Sequence, residues 1–299
     1  MKNRILYNLL ISLLRFGAFL PFGILYPISD GMYFIVYYIM RYRRKTVRDN
    51  LRNSFPEKSD KEREKIERKF YKHFCDCIME TIKLLHLTDK EMNKRISVTN
   101  GRLIDQLAED GAPIILYLGH YGNWEWTPAV TRHYTHPALN GQIYRPLHNC
   151  TMEQVMLTIR SRFHTLSIPQ KSAFRTLLKM KQENKQFLIG FVADQRPNSG
   201  NLYHWTTFLN QDTAYSIGGE EIGKRTGAHF VYLETEKRKR GYYQMTFHLI
   251  SPPCDGQEYP YTRQFMNMLE NSIRRDPEYW LWSHKRWRFS RPANKNLTT

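Results

Sequence analysis

The chain has 299 residues, of which 41% are hydrophobic and 24% charged, so it can bury a core of its own. This composition excludes an intrinsically disordered chain. The formal net charge of +17 predicts an anionic partner, which leaves nucleic acid, anionic lipid surfaces, phosphorylated substrates and acidic carrier proteins open.

The first forty residues are almost uncharged. Only Arg15 and Asp30 interrupt the apolar run at residues 5–40, and about twenty apolar residues suffice to span a bilayer. Pro21 and Pro27 are expected to kink or end a helix there, so one span, or one span plus an interfacial helix, both fit. A secretory signal peptide and a buried core helix pair are the alternatives.

The basic run RYRRKTVR at residues 41–48 outweighs Lys2 and Arg4 on the other side of the apolar run. By the positive-inside rule, the rest of the chain then lies in the cytoplasm. We therefore predict a membrane-attachment segment at residues 1–40, a catalytic domain at residues 41–299, and a location at the inner (cytoplasmic) membrane, facing the cytoplasm.

The remainder of the chain alternates between helical and strand patterns. Ser59 and Glu62 form a capping-box pattern before a helix that extends to about residue 85. Further helices are predicted at residues 103–108, 152–163 and 261–273, through Trp124, Trp126 and Val130, after a Ser172 cap, and from Thr213 onward. Strands are predicted at residues 113–118, 142–145, 187–193, 229–234 and 242–250. This alternation indicates an α/β fold with a mixed, mostly buried central sheet flanked by helices.

Four cysteines show neither a disulfide framework nor a common zinc-ligand spacing: Cys75, Cys77, Cys150 and Cys254. We expect free thiols, as in a cytoplasmic domain. The histidines and acidic residues form no ligand set either, so no metal and no cofactor is expected.

The run GHYGNWEW at residues 119–126 carries the clearest chemistry. His120 follows a predicted strand, and Glu125 falls in the first turn of the next predicted helix. This arrangement is expected to fold the Glu125 carboxylate onto the His120 ring, which would fix the tautomer and stabilise the imidazolium. The other ring nitrogen could then take a proton from a hydroxyl. The alternative is a histidine packed among tryptophans without any catalytic role.

Further short motifs occur in order along the chain. They are VRDNLRNSFP at residues 47–56, YRP at 144–146, ADQ at 193–195 and YWLWSHKRWR at 279–288. Together with the apolar N-terminus and the H-x-x-x-x-E pattern, they resemble the late-acting (secondary) acyltransferases of lipid A biosynthesis, within the glycerolipid and lysophospholipid acyltransferases. One departure is Asn210, where relatives have a glycine in a turn.

The resemblance implies transfer of a fatty acyl group from an acyl carrier protein thioester to a hydroxyl of a phosphorylated lipid A precursor. It implies His120 as the general base and Glu125 as the residue that orients it. It places Arg145, with Tyr144, in the substrate or transition-state pocket. A membrane lipid surface is a further expected partner, and nucleic acid is not.

The remaining candidate residues follow the predicted strands. The resemblance implies that Asp194 and Gln195 line the substrate cleft, and Arg196 is expected to bind phosphate or neutralise Asp194. The oxyanion of the tetrahedral intermediate needs hydrogen-bond donors, for which the candidates are Arg145 and the backbone amides near Gly122 and Asn123.

Other functions remain open from the sequence. The acceptor could be a lysophospholipid, a glycolipid or an aminolipid. A basic membrane or nucleic-acid binding protein without catalysis, and a histidine-dependent hydrolase, are the alternatives from other classes. The chain contains no GxSxG motif, which argues against a serine hydrolase.

Overall fold

The computed structural model describes residues 2–137, 139–198, 200, 202–252 and 256–291. The helices are α1 (Lys2–Phe19), α2 (Phe22–Phe34), α3 (Arg44–Ser54), α4 (Asp60–Lys83), α5 (Asp89–Arg95), α6 (Gly101–Ala108), α7 (Cys150–Arg160), α8 (Ala173–Gln182), α9 (Gly218–Thr226) and α10 (Pro260–Arg275). A π-helix at Ile35–Ile39 continues α2, and 3₁₀ helices lie at Trp124–Arg132, Ser161–Phe163 and Pro277–Tyr279. The strands are β1 (Ile96–Thr99), β2 (Ile114–Leu118), β3 (Leu139–Tyr144), β4 (Leu166–Pro169), β5 (Phe187–Val192), β6 (Trp205–Phe208), β7 (Gln211–Ala214), β8 (His229–Lys239) and β9 (Tyr242–Leu249).

Seven strands form one central sheet in the order β1-β9-β8-β2-β5-β3-β4. Only β8 and β9 pair antiparallel, and every other neighbouring pair in this sheet is parallel. The predicted α/β fold with a mixed sheet is therefore confirmed.

The central strands are apolar because helices cover both faces of the sheet. All five residues of β2, with the sequence IILYL, are buried, as expected for a parallel strand without a solvated face. On one side, α10 packs its apolar stripe onto the core through Phe265, Leu269 and Ile273, which recur every four residues and are buried. This packing holds β2 and its neighbours at fixed positions.

Helix α4 starts as the sequence predicts. Ser59 and Glu62 form the reciprocal capping box, in which the Ser59 side chain accepts from the Glu62 amide. Ser172, in contrast, makes no side-chain cap for α8, because its hydroxyl donates to the Pro169 carbonyl 3.0 Å away.

The segment after β5 was predicted incorrectly. Thr213 does not begin a helix but lies in β7, which pairs with β6 as a separate antiparallel hairpin. Leu209 and Asn210 form its turn, with φ angles of 50° and 62°. Asparagine tolerates this left-handed region, so Asn210 can serve where the resemblance leads us to expect glycine. The short strands β1 and β4 were not predicted at all.

The N-terminal helices expose an extensive apolar surface. The stretch Phe22–Ile39 is apolar and long enough to cross a membrane, and 22% of it is buried inside the protein. Pro21 separates α1 from α2, whereas Pro27 lies inside α2 and does not end it. The exposed apolar side chains of α1 are Ile5, Leu6, Leu9, Leu13, Phe16 and Phe19. This surface is consistent with attachment to a membrane, which remains a prediction, as does the division at residue 40.

Three of the cysteines are free thiols: Cys75 and Cys77 are buried, and Cys150 is exposed. Cys254 lies outside the described residues.

Candidate active site

Three neighbouring parallel strands end at one edge of the sheet and bring the predicted site residues together. Leu118 at the end of β2 pairs with Val192 at the end of β5, and Phe191 of β5 pairs with Ile143 of β3. The residues that follow these strands therefore meet, as at the ligand sites of other open α/β sheets. These residues are His120 after β2, Asp194, Gln195 and Arg196 after β5, and Tyr144 and Arg145 at the end of β3.

His120 bonds directly to Asp194. The distance between His120 Nδ1 and Asp194 Oδ1 is 2.6 Å, and Trp280 Nε1 donates to Asp194 Oδ2 at 2.8 Å. The Asp194 side chain is 1% exposed, whereas that of His120 is 18% exposed. A buried carboxylate thus orients an imidazole that solvent or substrate can still reach.

The electrostatics keep this carboxylate ionised. Burial alone would raise the pKa of Asp194, but the neighbouring His120 and the hydrogen bonds that His120 and Trp280 donate lower it below its usual value. An ionised Asp194 accepts the Nδ1 proton and stabilises the imidazolium that forms when His120 takes up a second proton.

The second ring nitrogen of His120, Nε2, is not bonded to the Asp194 carboxylate. With the proton on Nδ1, Nε2 carries the lone pair, and the Gln195 side-chain amide donates to it at 3.1 Å. The ring also lies against Trp124, with the two ring centroids 5.2 Å apart. A hydroxyl that replaces the Gln195 amide would meet this lone pair, so the arrangement supports proton abstraction.

The predicted contact between Glu125 and His120 is wrong. Glu125 instead accepts two hydrogen bonds from Arg160, at 2.9 and 2.7 Å, across to the end of α7. The segment Trp124–Arg132 forms a 3₁₀ helix rather than an α-helix, and it is Trp124 that lies on the imidazole. A bidentate guanidinium holds a carboxylate more firmly than a neutral imidazole does. Asp194 therefore takes the orienting place that the sequence assigned to Glu125.

The Asn123 side chain does not face a substrate either. Asn123 is 1% exposed, and its amide nitrogen donates to Glu80 Oε2 at 2.7 Å. Burial raises the pKa of Glu80, and Lys237 with the hydrogen bonds from Tyr243 and Asn123 only partly offsets this effect. The contact anchors the loop that follows His120 onto α4, so Asn123 is a positioning residue.

Two glycines of the GHYGNWEW run are required by close packing. A Cβ on Gly119 would lie 2.6 Å from Leu269 Cδ1, and one on Gly122 would lie 2.7 Å from Thr235 Cγ2. Gly122 also has a φ of +63°, and its amide donates to the Tyr279 carbonyl at 2.9 Å. This amide is therefore already used and cannot serve an oxyanion as predicted.

The polar residues at the ends of β3 and β5 line the same edge. Arg145 is exposed, and Arg196 is half-buried. Burial, together with the nearby positive charges of Arg288 and Arg145, lowers the pKa of Arg196. Burial and a hydrogen bond with Glu153 raise the pKa of Tyr144. The edge is thus strongly cationic, as an anionic substrate would require.

Sequence reasoning missed the part that the C-terminal segment plays. A β-bridge joins Tyr121 to Trp280, and the Leu281 amide donates to the His120 carbonyl at 3.1 Å. These contacts bring Trp280 onto Asp194 and place His284 and Arg286 close behind it. The signal was present in the YWLWSHKRWR motif, although its place in the fold depends on long-range contacts.

Comparison with known proteins identifies the family of the chain. Residues 2–289 match the family described as bacterial lipid A biosynthesis acyltransferase. The lipid A biosynthesis lauroyltransferase of Escherichia coli (strain K12) is 23% identical over 273 residues, which cover 90% of this chain and 87% of that protein. Because the family match spans nearly the whole chain, the protein is an acyltransferase that belongs to the bacterial lipid A biosynthesis acyltransferase family.

Proposed function

We propose that the protein transfers a fatty acyl group from an acyl carrier protein thioester to a hydroxyl of a phosphorylated lipid A precursor. In this proposal His120 is the general base, and Asp194 orients it. The observation that carries the proposal is the 2.6 Å contact between His120 Nδ1 and Asp194 Oδ1, which leaves Nε2 available on a side chain that is 18% exposed.

The reaction needs no covalent intermediate on the protein, because a thioester is already activated. His120 Nε2 takes the proton of the acceptor hydroxyl while the hydroxyl oxygen attacks the thioester carbonyl, a form of help that contributes about 10² to 10⁴ in rate. The tetrahedral intermediate then collapses, the carbon–sulfur bond breaks, and the imidazolium returns the proton to the thiolate. We assign the hydrogen bonds to the oxyanion to Gln195, which the hydroxyl would displace from Nε2, and to Arg145.

Glu125 has a positioning role in this scheme. Its ion pair with Arg160 fixes the 3₁₀ helix that carries Trp124, and Trp124 packs against the imidazole. Glu125 is 11% exposed in its side chain, so the pair is largely withdrawn from water. Loss of this ion pair would make the position of Trp124 beside the imidazole less fixed, but it would leave the Asp194–His120 hydrogen bond in place.

An acidic carrier protein would find a complementary surface on α4. A cavity of about 550 Å³ is bordered by Tyr33 and Tyr38 on the apolar N-terminal helices. The other residues that line this cavity are named the basic groove and are Lys61, Glu64, Lys65, Arg68, Lys69 and Lys72. Glu64 is paired with Arg68, so the groove presents a clear excess of positive charge. Complementary charge accelerates the association of such partners.

The same region supports attachment to a membrane. The basic groove borders the end of the apolar stretch Phe22–Ile39, and the basic residues 41–48 follow directly. Cations at this position favour the cytoplasmic side of the inner membrane. A lipid acceptor would then reach the site from the membrane surface, while the carrier protein arrives from the cytoplasm.

The direct test is a transfer assay on the detergent-purified protein with an acyl carrier protein thioester and a lipid A precursor. Mass spectrometry should find one acyl mass added to the acceptor, together with free carrier thiol. Release of free fatty acid without acylated acceptor would contradict transfer and favour hydrolysis. No turnover of the thioester would favour a binding protein without catalysis.

A further inference from the structure

A buried cation without a partner lies directly behind the His120–Asp194 pair. Arg286 is 3% exposed. Its Nε and Nη2 atoms are buried and make no hydrogen bond. At these two atoms the guanidinium has lost its hydrogen bonds to water without forming others. This is unfavourable unless another group binds there.

Two neighbours share this condition. Arg196 Nε and His284 Nε2 are also buried without a hydrogen-bond partner. Electrostatic interactions join Arg286 to Arg196, and His284 to Arg196, Arg286 and His120. Four of the ten unpartnered buried side-chain atoms among the described residues thus lie in this one cluster. Such a concentration next to the proposed base indicates a ligand-binding site.

Asp194 attracts Arg286 and His284 electrostatically, but it forms no hydrogen bond with either residue. The two carboxylate oxygens of Asp194 are already held by His120 and Trp280. Within the described ranges, neither Arg196 nor Arg286 forms an ion pair with an acidic side chain. Arg196 is only half-buried and lies near the exposed Arg145. The three arginines therefore form a series from the exposed Arg145 through Arg196 to the buried Arg286. A ligand of this cluster is therefore an anion that enters from the solvent or membrane side.

The charge states select the kind of anion. Burial lowers the pKa of Arg286 to about 10, which still leaves it positive near neutral pH. Burial, with repulsion from Arg286 and other nearby cations, lowers the pKa of His284 to about 4 despite Asp194, so this imidazole is neutral. Two cations and one neutral imidazole match a phosphate monoester, which carries a charge of about −1.5 to −2. A carboxylate or a phosphate diester carries only one negative charge.

We propose that Arg196, His284 and Arg286 form a phosphate-binding site that holds a phosphate monoester of the lipid acceptor beside His120. The identity of the acceptor rests on the proposed function, whereas the preference for phosphate rests on the cluster itself. Arginine binds phosphate through two parallel N–H groups, and Arg286 has two such groups free. A phosphate fixed here would anchor the sugar and present its hydroxyl to His120 Nε2.

The test compares two acceptors that differ only in the phosphate. The full-length protein, Arg286→Met and the matched control Lys285→Met are assayed with a phosphorylated lipid A precursor and with its dephosphorylated form. Lys285 is exposed, and its replacement by methionine removes one positive charge from the same segment. Arg286→Met should lower kcat/KM for the phosphorylated acceptor about tenfold to a hundredfold, the usual size of a charged hydrogen bond, and spare the dephosphorylated one. Equal slowing of both acceptors, or of neither, would overturn the proposal.

A binding measurement separates this inference from the proposed function. Inorganic phosphate should raise the Tm of the wild-type protein and of Lys285→Met but not that of Arg286→Met. Without phosphate, Arg286→Met should unfold at or above the wild-type Tm, because it removes an unpaired buried charge. If Arg286→Met instead unfolds far below the wild-type Tm, the decision passes to Arg196→Met. If the protein acylates no acceptor at all, the proposed function fails, while the phosphate-dependent Tm still decides this inference.

Two further arms complete the experiment. If Arg286→Met does not fold, Arg196→Met at the half-buried side of the cluster should show the same loss of phosphate preference. Acyl-pantetheine and acyl-4′-phosphopantetheine test the donor as the source of the phosphate. If the phosphate belongs to the acceptor, Arg286→Met should change the ratio of kcat/KM between these two donors by no more than Lys285→Met does. A loss of preference confined to the phosphorylated donor would overturn the acceptor assignment.

Discussion

Replacing Asp194 with asparagine should nearly abolish transfer without unfolding the protein. Asp194 accepts the Nδ1 proton of His120 at 2.6 Å, which keeps the lone pair on Nε2. An asparagine can present its NH₂ group to Nδ1 instead, which moves the ring proton to Nε2 and removes the base. In the catalytic triad of serine proteases, the equivalent change costs about 10⁴ in kcat. We expect a loss of about 10³ to 10⁴ here, because transfer also depends on the positioning of both substrates.

The assay is acyl transfer at saturating acceptor, with kcat and KM measured separately. KM should change little, since Asp194 is 1% exposed and does not touch either substrate. The fold should survive, because the asparagine oxygen can still accept the hydrogen bond that Trp280 donates to Asp194. Glu125→Gln is the informative comparison. Near-normal kcat in Asp194→Asn together with a far larger loss in Glu125→Gln would refute the assignment of the orienting role.

Three further predictions follow from individual contacts. Glu125→Gln should destabilise the protein by about 2 kcal/mol, because it leaves the Arg160 guanidinium half-buried without its ion pair, and urea unfolding would measure this. Lys65→Glu in the basic groove should raise KM for the carrier-linked donor about threefold to tenfold at low salt, and the control Lys90→Glu should not; an unchanged KM would argue against docking there. The hydrogen bond from His248, with those from Ser272 and Arg275, lowers the pKa of Glu234 from 4.5 to about 2 despite burial. This contribution, on the order of 2 kcal/mol, is present above the unfolded pKa and is lost as the pH falls from about 4.5 toward 2, so Glu234→Gln should flatten the acid limb of stability.

The fold class could be predicted because the central strands are defined by local patterns. The apolar runs of β2 and β5 lack any polar alternation, which identifies buried parallel strands before their neighbours are known. The hairpin of β6 and β7 could not be recognised in this way. Its strands contain mostly polar residues, and its turn uses Leu209 and Asn210 at positive φ in place of glycine.

The sequence placed the candidate site residues at strand ends, but it did not predict their contacts. His120 and Asp194 were both placed at strand ends, and the register of β2 against β5 explains why they meet. Their pairing could not be read from the sequence, because it depends on which strands are neighbours. Glu125, only five residues from His120, appeared closer, yet a bidentate bond to Arg160 on another helix holds it elsewhere.

The C-terminal contribution was the least predictable part. Trp280, His284 and Arg286 reach the site because the segment after α10 forms a β-bridge with the loop after β2. Such long-range contacts leave no periodic pattern in the sequence. The unpartnered atoms of Arg286 likewise become visible only once burial and neighbours are known.

The most direct test of the account is single-turnover acyl transfer by His120→Gln. Glutamine can occupy the volume beside Trp124 and still bond to Asp194, but it cannot take a proton near neutral pH. The account predicts a folded protein that binds both substrates and transfers at least about a hundredfold more slowly. Transfer by His120→Gln at close to the wild-type rate would show that another group removes the proton from the acceptor hydroxyl.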